Sequence, residues 1–258
     1  CTLDVAARYK NERICRKLDL HPGLRLLEIG TGWGGFALYA AREYGCHVTT
    51  TTLSRHQYEL ATERVAQAGL KHLIDVRLED YRDLQGSYDR IVSIEMIEAV
   101  GYQYLDTYFE RCADLLHADG RMLVQGITVP EWAWERHKRS VDFMKRYIFP
   151  GCSLISIGGV SKALSGTDLR WENLEDIGPH YARTLNDWRA RFHSRLEEVL
   201  QLGFDENFVR MWDFYLASCE AAFAERYTSV VQILLARAAD RGASLLPAMP
   251  RPAQAVAS

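Results

Sequence analysis

Residues 26–35 read Leu-Leu-Glu-Ile-Gly-Thr-Gly-Trp-Gly-Gly, an acid and a run of glycines closing an apolar stretch of Leu24, Leu26, Leu27 and Ile29. Glycine has no Cβ and tolerates positive φ, so such a turn lets backbone approach a ligand closely. A helical pattern follows at once in Phe36, Ala37, Ala40 and Ala41. The turn therefore joins a strand to a helix, whose first N–H groups can face an anion. Gly30, Gly32 and Gly35 also fit the dinucleotide pattern G-x-G-x-x-G. That pattern wants an acid about 20 residues on, for the ribose. Here the region reads Val48-Thr49-Thr50-Thr51-Thr52-Leu53-Ser54, without a carboxylate. The acid, Glu28, instead precedes the glycines, giving Glu-x-Gly-x-Gly-x-Gly. On the glycines alone, a nicotinamide or flavin nucleotide and a purely structural turn stay open.

Two further positions are polar residues next to predicted strand ends or turns. Residues 88–95 read Tyr-Asp-Arg-Ile-Val-Ser-Ile-Glu, a strand that ends in acids, and Glu98 follows in Glu-Met-Ile-Glu. Glu98 thus falls near a predicted strand tip, where ligands of such sheets sit, and the bland reading is a solvated surface acid. Tyr181 comes just after Gly178-Pro179-His180, where the bland reading is a core tyrosine. His180 is read as a surface or supporting residue.

The elements that must hold these residues are legible in periodicity. Residues 3–18 predict an amphipathic helix with Leu3, Ala7, Ile14, Cys15 and Leu18 inward. After the glycine turn a helix runs to about residue 43, starting at Trp33–Gly34. Residues 46–52 are a β-branched strand. Residues 53–69 are a helix that opens at Ser54, a good N-cap. Strands are expected at 74–78, 88–95 and 121–129, with a helix at 102–116 and a turn at 117–120. Such alternation implies an α/β fold, a doubly wound and mostly parallel sheet. Ligands in such sheets sit at the carboxyl ends of the strands. From about 130 to 200 the alternation breaks into an aromatic, largely helical stretch with Tyr-Ile-Phe-Pro-Gly at 147–151. It is read as an insertion roofing a substrate pocket, with a strand or its lead-in at 174–177. Helices at 188–202 and 208–226 precede a final edge strand at 229–236. One domain is expected over 1–238, and a flexible Pro- and Ala-rich tail over 239–258.

Bulk properties bound the function. The chain has 258 residues, 48% hydrophobic and 25% charged, enough for one full core. A net charge of −3 gives no sign of a nucleic-acid partner. Six scattered cysteines without a C-x-x-C pair read as reduced thiols of a cytoplasmic protein, with no metal site. No apolar run reaches the ~18 residues that span a bilayer, so a membrane would be met at its surface, from the cytoplasmic side. The chain begins at Cys1 without a methionine and is expected to be a fragment, a processed chain or part of something longer.

Several segments together resemble the cyclopropane fatty acid synthase family, which includes mycolic acid cyclopropane synthases and related methyltransferases. They are the glycine turn (26–35), Thr-Leu-Ser-Arg-His-Gln (52–57), Asp-Arg-Ile-Val-Ser-Ile-Glu-Met-Ile-Glu-Ala-Val-Gly (89–101), Arg-Tyr-Ile-Phe-Pro-Gly (146–151) and Ile-Gly-Pro-His-Tyr-Ala-Arg-Thr-Leu (177–185). Order and spacing match from about residue 3 to 236. The glycine turn is common to many methyltransferases, while the Thr-Leu-Ser-x-x-Gln, Tyr-Ile-Phe-Pro-Gly and Tyr-x-x-Thr-Leu segments are far more specific.

The resemblance implies a Rossmann-like class I methyltransferase with S-adenosyl-L-methionine (SAM) as cofactor. Glu28, Gly30, Gly32, Trp33 and Gly34 would surround its methionine part. Thr52, Leu53, Ser54 and Gln57 would lie near ribose and adenine, and Leu78 and Glu79 near the adenine. The implied reaction transfers a methyl(ene) group to the double bond of an unsaturated acyl chain of a phospholipid, in transient contact with a membrane surface. The implied base is a bound bicarbonate, held by Glu98, Gln125, the backbone N–H of Ile127 and Tyr181. The family's usual His-Thr-Ile is Gln125-Gly126-Ile127 here, and a glutamine amide donates a hydrogen bond but carries no proton. An upstream segment that contacts SAM and supplies a cysteine to the anion cluster is expected to lie outside this chain, since Cys1 is too close to Leu3 to be that cysteine. A small-molecule N- or C-methyltransferase, or a weakly catalytic SAM- or lipid-binding protein, are the other readings. Oligomeric state is left open.

Overall fold

The computed structural model describes residues 2–242. Strands β1 (Arg25–Ile29), β2 (His47–Thr52), β3 (Ile74–Leu78), β4 (Tyr88–Ile94) and β5 (Leu116–Thr128) run parallel, joined by α2 (Gly35–Tyr44), α3 (Arg55–Gln67) and α4 (Leu105–Leu115). Two antiparallel strands, β6 (Arg170–Asp176) and β7 (Ser229–Ala236), complete a seven-stranded sheet of order β3-β2-β1-β4-β5-β7-β6. Side chains alternate across a sheet, and the core follows that rule. Leu27, Ile91, Met122, Val124, Ile233 and Leu235 pack on one face with α4. Leu26, Val48, Val92, Leu123 and Leu234 pack on the other, under α2 and the first helix, α1 (Leu3–Lys17).

Several expectations are corrected. The strand at 229–236 is not an edge: β7 lies between β5 and β6, and β6 is the edge. Its sequence, apolar on both faces, fits a strand covered on both sides, while the charged Arg-Trp-Glu-Asn-Leu-Glu-Asp of β6 suits an edge. The turn expected at 117–120 is absorbed as an irregularity in β5, whose register jumps from Tyr88↔Leu116 to Arg90↔Arg121. A Cβ on Gly120 would meet the Leu116 side chain at 2.6 Å, so this close approach needs glycine. On α1, Ile14, Cys15 and Leu18 are buried as expected, but Ala7 is exposed and Leu3 only half-buried. Helix α2 starts at Gly35, one residue past the expected Trp33–Gly34.

The stretch at 130–200 is not one insertion. α5 (Glu131–Arg139), a π-helical turn at Met144–Ile148, α7 (Pro179–Ser194) and α8 (Leu196–Gln201) lie outside the sheet layer. Between them, α6 (Ile157–Leu164) packs with α4 through Val160, Ala163 and Leu164, and β6 returns to the sheet. α7 pairs with α9 (Glu206–Ala224) around Leu185, Leu216 and Phe223, a third apolar cluster that also takes in Tyr181 and Ile127. Of the expected tail, Asp240 is held by Arg121 (Nε to Oδ2, 2.9 Å), and residues 243–258 lie outside the described ones. Among the described residues no helix is long and apolar enough to cross a membrane.

Candidate active site

The glycine turn lies at the carboxyl end of β1. Gly30, Gly32 and Gly34 all take positive φ, +100°, +52° and +80°. A Cβ on Gly30 would stand 3.1 Å from the Met96 side chain, and one on Gly34 3.1 Å from Ala61 Cβ. A Cβ on Gly32 would meet nothing within 4 Å. Gly30 and Gly34 thus serve packing, and Gly32 faces open space. Gly34 caps α2 without a side-chain bond, which leaves the first amides of that helix open to an anion. Glu28 is buried beneath the turn, paired in register with Thr50 of β2, whose hydroxyl donates to Glu28 Oε2 (2.6 Å) and lies 2.7 Å from Thr31 Oγ1. Burial pushes this carboxyl up to about 8, against the opposing hydrogen bond from Thr50.

The remaining expected cofactor residues line the adjoining strand ends. Thr52 donates to Gln57 Oε1 (2.8 Å), and Ser54 caps α3 by accepting from the Gln57 amide (3.3 Å). Leu53, Leu78 and Trp33 leave apolar surface exposed around this rim. The Trp33 carbonyl accepts from Arg64 (2.9 Å). The Glu79 carbonyl accepts from the Thr51 hydroxyl, and its carboxylate faces Arg77 at 3.8 Å. An open space with amide donors at one point and a buried, neutralised carboxyl at another fits a ligand carrying both a carboxylate and cationic groups, as SAM does.

A second cluster stands at the ends of β4 and β5. Glu98 follows β4 in a 3₁₀ turn, buried, and accepts the Ile127 N–H at Oε1 (2.5 Å). Its Oε2 is buried without a partner. Burial raises this carboxyl to about 7, with the nearby Glu95 charge adding to the rise and the Ile127 N–H opposing it. Gln125 donates from Nε2 to Glu95 Oε1 (2.8 Å) and to the Tyr181 hydroxyl (2.9 Å), and Tyr181 donates to Glu95. Burial, and then the Glu95 charge, holds the Tyr181 phenol well above its usual range. The four residues expected to form the cluster are therefore together. His180 is exposed, next to the site but outside it.

Three members were not expected. Glu95 sits one residue beyond β4 with φ +52°. Behind Gln125, Gln232 of β7 donates from Nε2 to Gln125 Oε1 (3.0 Å) and accepts from Lys17 Nζ (2.8 Å). Lys17 also pairs with Glu175 (2.6 Å), which binds Arg13. Glu175, Gln232 and Gln125 face one another across β6, β7 and β5, a cross-strand row of polar side chains. The acids that end β4 are a sequence signal for Glu95. One basic residue among several on an amphipathic helix gives none for Lys17. A cavity of about 490 Å³, lined by Glu110, Asp114, His117, Asp168 and Arg237 among others, lies at the amino ends of the strands, away from both clusters.

The model of the family described as mycolic acid cyclopropane synthetase matches residues 1–233. A tuberculostearic acid methyltransferase of Mycobacterium tuberculosis is 41% identical over 91% of this chain and 55% of its own length. The cyclopropane-fatty-acyl-phospholipid synthase of Escherichia coli K12 is 35% identical over 93% of this chain and 60% of its own. The chain thus spans somewhat over half the length of these curated relatives. The solved structure of the mycolic acid cyclopropane synthase CmaA1, complexed with SAH and CTAB, superposes with a TM-score of 0.85 at 30% identity, covering 92% of this chain and 86% of the other. Sequence and sheet agree over nearly the whole described chain, and the protein belongs to the mycolic acid cyclopropane synthetase family.

Proposed function

We propose that this chain carries the catalytic unit of a SAM-dependent methyltransferase that modifies the double bond of an unsaturated phospholipid acyl chain, giving a cyclopropane or a methyl branch. The observation that carries the reading is the pairing of two sites at the carboxyl ends of neighbouring strands: an open glycine turn above a neutralised acid, and a carboxylate–tyrosine–glutamine cluster beside it. Glu28, the α2 amides and the Gly32 backbone would hold SAM, with Thr52, Ser54, Gln57, Leu53, Leu78 and Glu79 around its nucleoside. When bound, SAM supplies an electrophilic methyl group to the alkene.

The chain's own residues then have two tasks. One is to keep water from a cationic substrate. Phe143, Tyr147, Phe149, Phe214 and Tyr215 form edge-on and tilted pairs (Phe143–Phe214 centroids 4.7 Å apart, Phe149–Tyr215 5.8 Å), and aromatic faces also attract cations. Tyr147, Phe149 and Phe214 are half exposed, which supports an approach of lipid from a membrane surface. The other task is to stabilise and finally neutralise the cation, which suits the buried Glu98 and its neighbours. Expression of the full-length protein in cells, followed by mass spectrometry of their lipids, should show unsaturated phospholipid chains gaining one CH₂ each. Unaltered lipids in the presence of folded, SAM-binding protein would overturn this reading in favour of a small-molecule substrate.

Cofactor binding should be linked to protons. In the free protein the Glu28 carboxyl titrates at about 8 and is protonated at neutral pH. A cationic ligand favours the carboxylate, so binding expels the proton. Affinity for SAM should therefore rise with pH, by at most about tenfold per unit below pH ~8, and level off above it. Calorimetry in buffers of different ionisation enthalpy measures the proton released. In Glu28→Gln the release should vanish. A wild-type affinity independent of pH would remove Glu28 from the site.

A further inference from the structure

We infer that Glu95 is the site's own base, a resident carboxylate standing where the family resemblance calls for a bound bicarbonate. The inference rests on the methyltransferase reading above and adds the group that accepts the proton.

The donors that would hold an anion are already engaged by the chain. Tyr181 Oη and Gln125 Nε2 both point at Glu95 Oε1, and the Ile127 N–H points at Glu98 Oε1. A free anion would have to displace one carboxylate and sit beside both, and like charges at such spacing disfavour each other's ionised form. The residues present therefore do not fit a bicarbonate.

The direction of the donors is fixed from behind. An ammonium has donors only, so Lys17 compels Gln232 to turn its Oε1 toward it. Gln232 Nε2 then meets Gln125 Oε1, and Gln125 must turn its Nε2 toward the site. Lys17, Gln232 and Gln125 are all buried. Two amides whose orientation is otherwise free are thereby locked, and the locked one presents N–H groups that need an acceptor. Glu95 Oε1 is that acceptor.

Backbone geometry points the same way. Glu95 is one of three non-glycine residues with positive φ among those described, at +52°, and its N–H donates to the Gln125 carbonyl (2.7 Å). A side chain in the left-handed region is strained, and such strain clusters at functional sites. Glu95 is nevertheless exposed toward the opening, and its Oε2 makes no hydrogen bond among the described residues. One oxygen is anchored and the other is free to react. In the step assigned to it, a C–H bond of the newly attached methyl breaks. Its electron pair closes the second new C–C bond of the cyclopropane, and the proton passes to Glu95 Oε2 and then to water. No oxidant or reductant is needed.

The test compares the wild type with Glu95→Gly and Glu95→Gln, in buffer freed of CO₂ and with bicarbonate restored. Glycine relieves the positive φ, so Glu95→Gly should keep its fold by circular dichroism and its affinity for SAH by calorimetry. Wild-type turnover on phospholipid vesicles should not change when bicarbonate is removed. Glu95→Gly should lose roughly 10²–10⁴-fold, the range for a lost base, and regain activity with bicarbonate. Glu95→Gln, which fills the space without a base, should not recover. ¹³C-labelled bicarbonate, followed by NMR, should bind Glu95→Gly and not the wild type. Bicarbonate-dependent wild-type turnover, bicarbonate bound to the wild type, or a Glu95→Gly enzyme active without bicarbonate would each overturn the inference. Wild-type protein that turns over no lipid in either buffer would overturn the lipid reading instead, and the NMR measurement would still decide the role of Glu95.

Discussion

Glu98→Gln should lower turnover by roughly 10²–10⁴-fold and leave the affinity for SAM near that of the wild type. The substitution is close to isosteric. Glutamine keeps an oxygen for the Ile127 N–H, which the native carboxylate accepts at 2.5 Å, so the end of β5 stays in place. What is lost is charge. Glu98 is buried, its Oε2 has no partner, and its carboxyl titrates at about 7. Near neutral pH it passes from a neutral group to an anion, which on the proposed reaction stabilises the cationic substrate. Fixed charge in a dry site is worth far more than in water. Turnover of the wild type should accordingly rise with pH through about 7, as the anionic form fills. The variant should lack that rise. Wild-type turnover with an unchanged pH profile in Glu98→Gln would make the residue a bystander.

Gly32→Val should abolish measurable SAM binding while the chain stays folded. The three glycines of the turn differ in a way that isolates this effect. A Cβ at Gly30 or Gly34 stands 3.1 Å from Met96 or Ala61, tighter than ordinary contact, so substitution there presses on the protein whether or not a ligand is present. At Gly32 the Cβ enters open space, and the cost to the empty protein is the left-handed backbone, about 1–2 kcal/mol. A valine there takes the volume of a ligand lying on the turn, so the side chain and the ligand exclude one another. Gly69, just beyond α3, is a matched control: its φ is +70° and its Cβ also meets nothing. Gly69→Val should lower the melting temperature about as much as Gly32→Val and leave SAM affinity alone. Equal affinities in the two variants would sink the assignment of the turn.

The parts of the molecule legible in sequence are those governed by local rules. The β1–turn–α2 unit is announced by an apolar run, positive-φ glycines and a helical period within some twenty residues, and it folds as read. Ser54 is a cap by composition and a cap in fact. The order of the last strands is not legible in the same way. Being last in the chain suggests an edge, but β7 suits the interior by carrying apolar residues on both faces, broken on one face by Gln232, and the sheet is closed by the charged β6. Of the cluster, Glu98, Gln125, Ile127 and Tyr181 come from motifs. Glu95 stands within a motif but is distinguished by its backbone conformation, which its letter does not disclose. Lys17 and Gln232 are brought in by strand register and by the packing of α1, relations between distant segments that no local pattern records.

That distance bears on how the protein is made. The glycine turn and its neighbours lie between residues 25 and 94, in consecutive parallel units. The row behind Gln125 is assembled quite differently: Lys17 and Gln232 are 215 positions apart, Gln232 and Gln125 are 107 apart, and Glu95 and Tyr181 are 86 apart. Chains emerge from the ribosome amino end first, and contacts of large separation form late. A chain that stops short of β7 lacks Gln232 and so leaves Gln125 without the partner that orients it. On the chemistry proposed above, the residues of the glycine turn are all in place long before the last strand that aims Gln125 at Glu95 is made, so translation itself separates the cofactor-binding part from the reacting part.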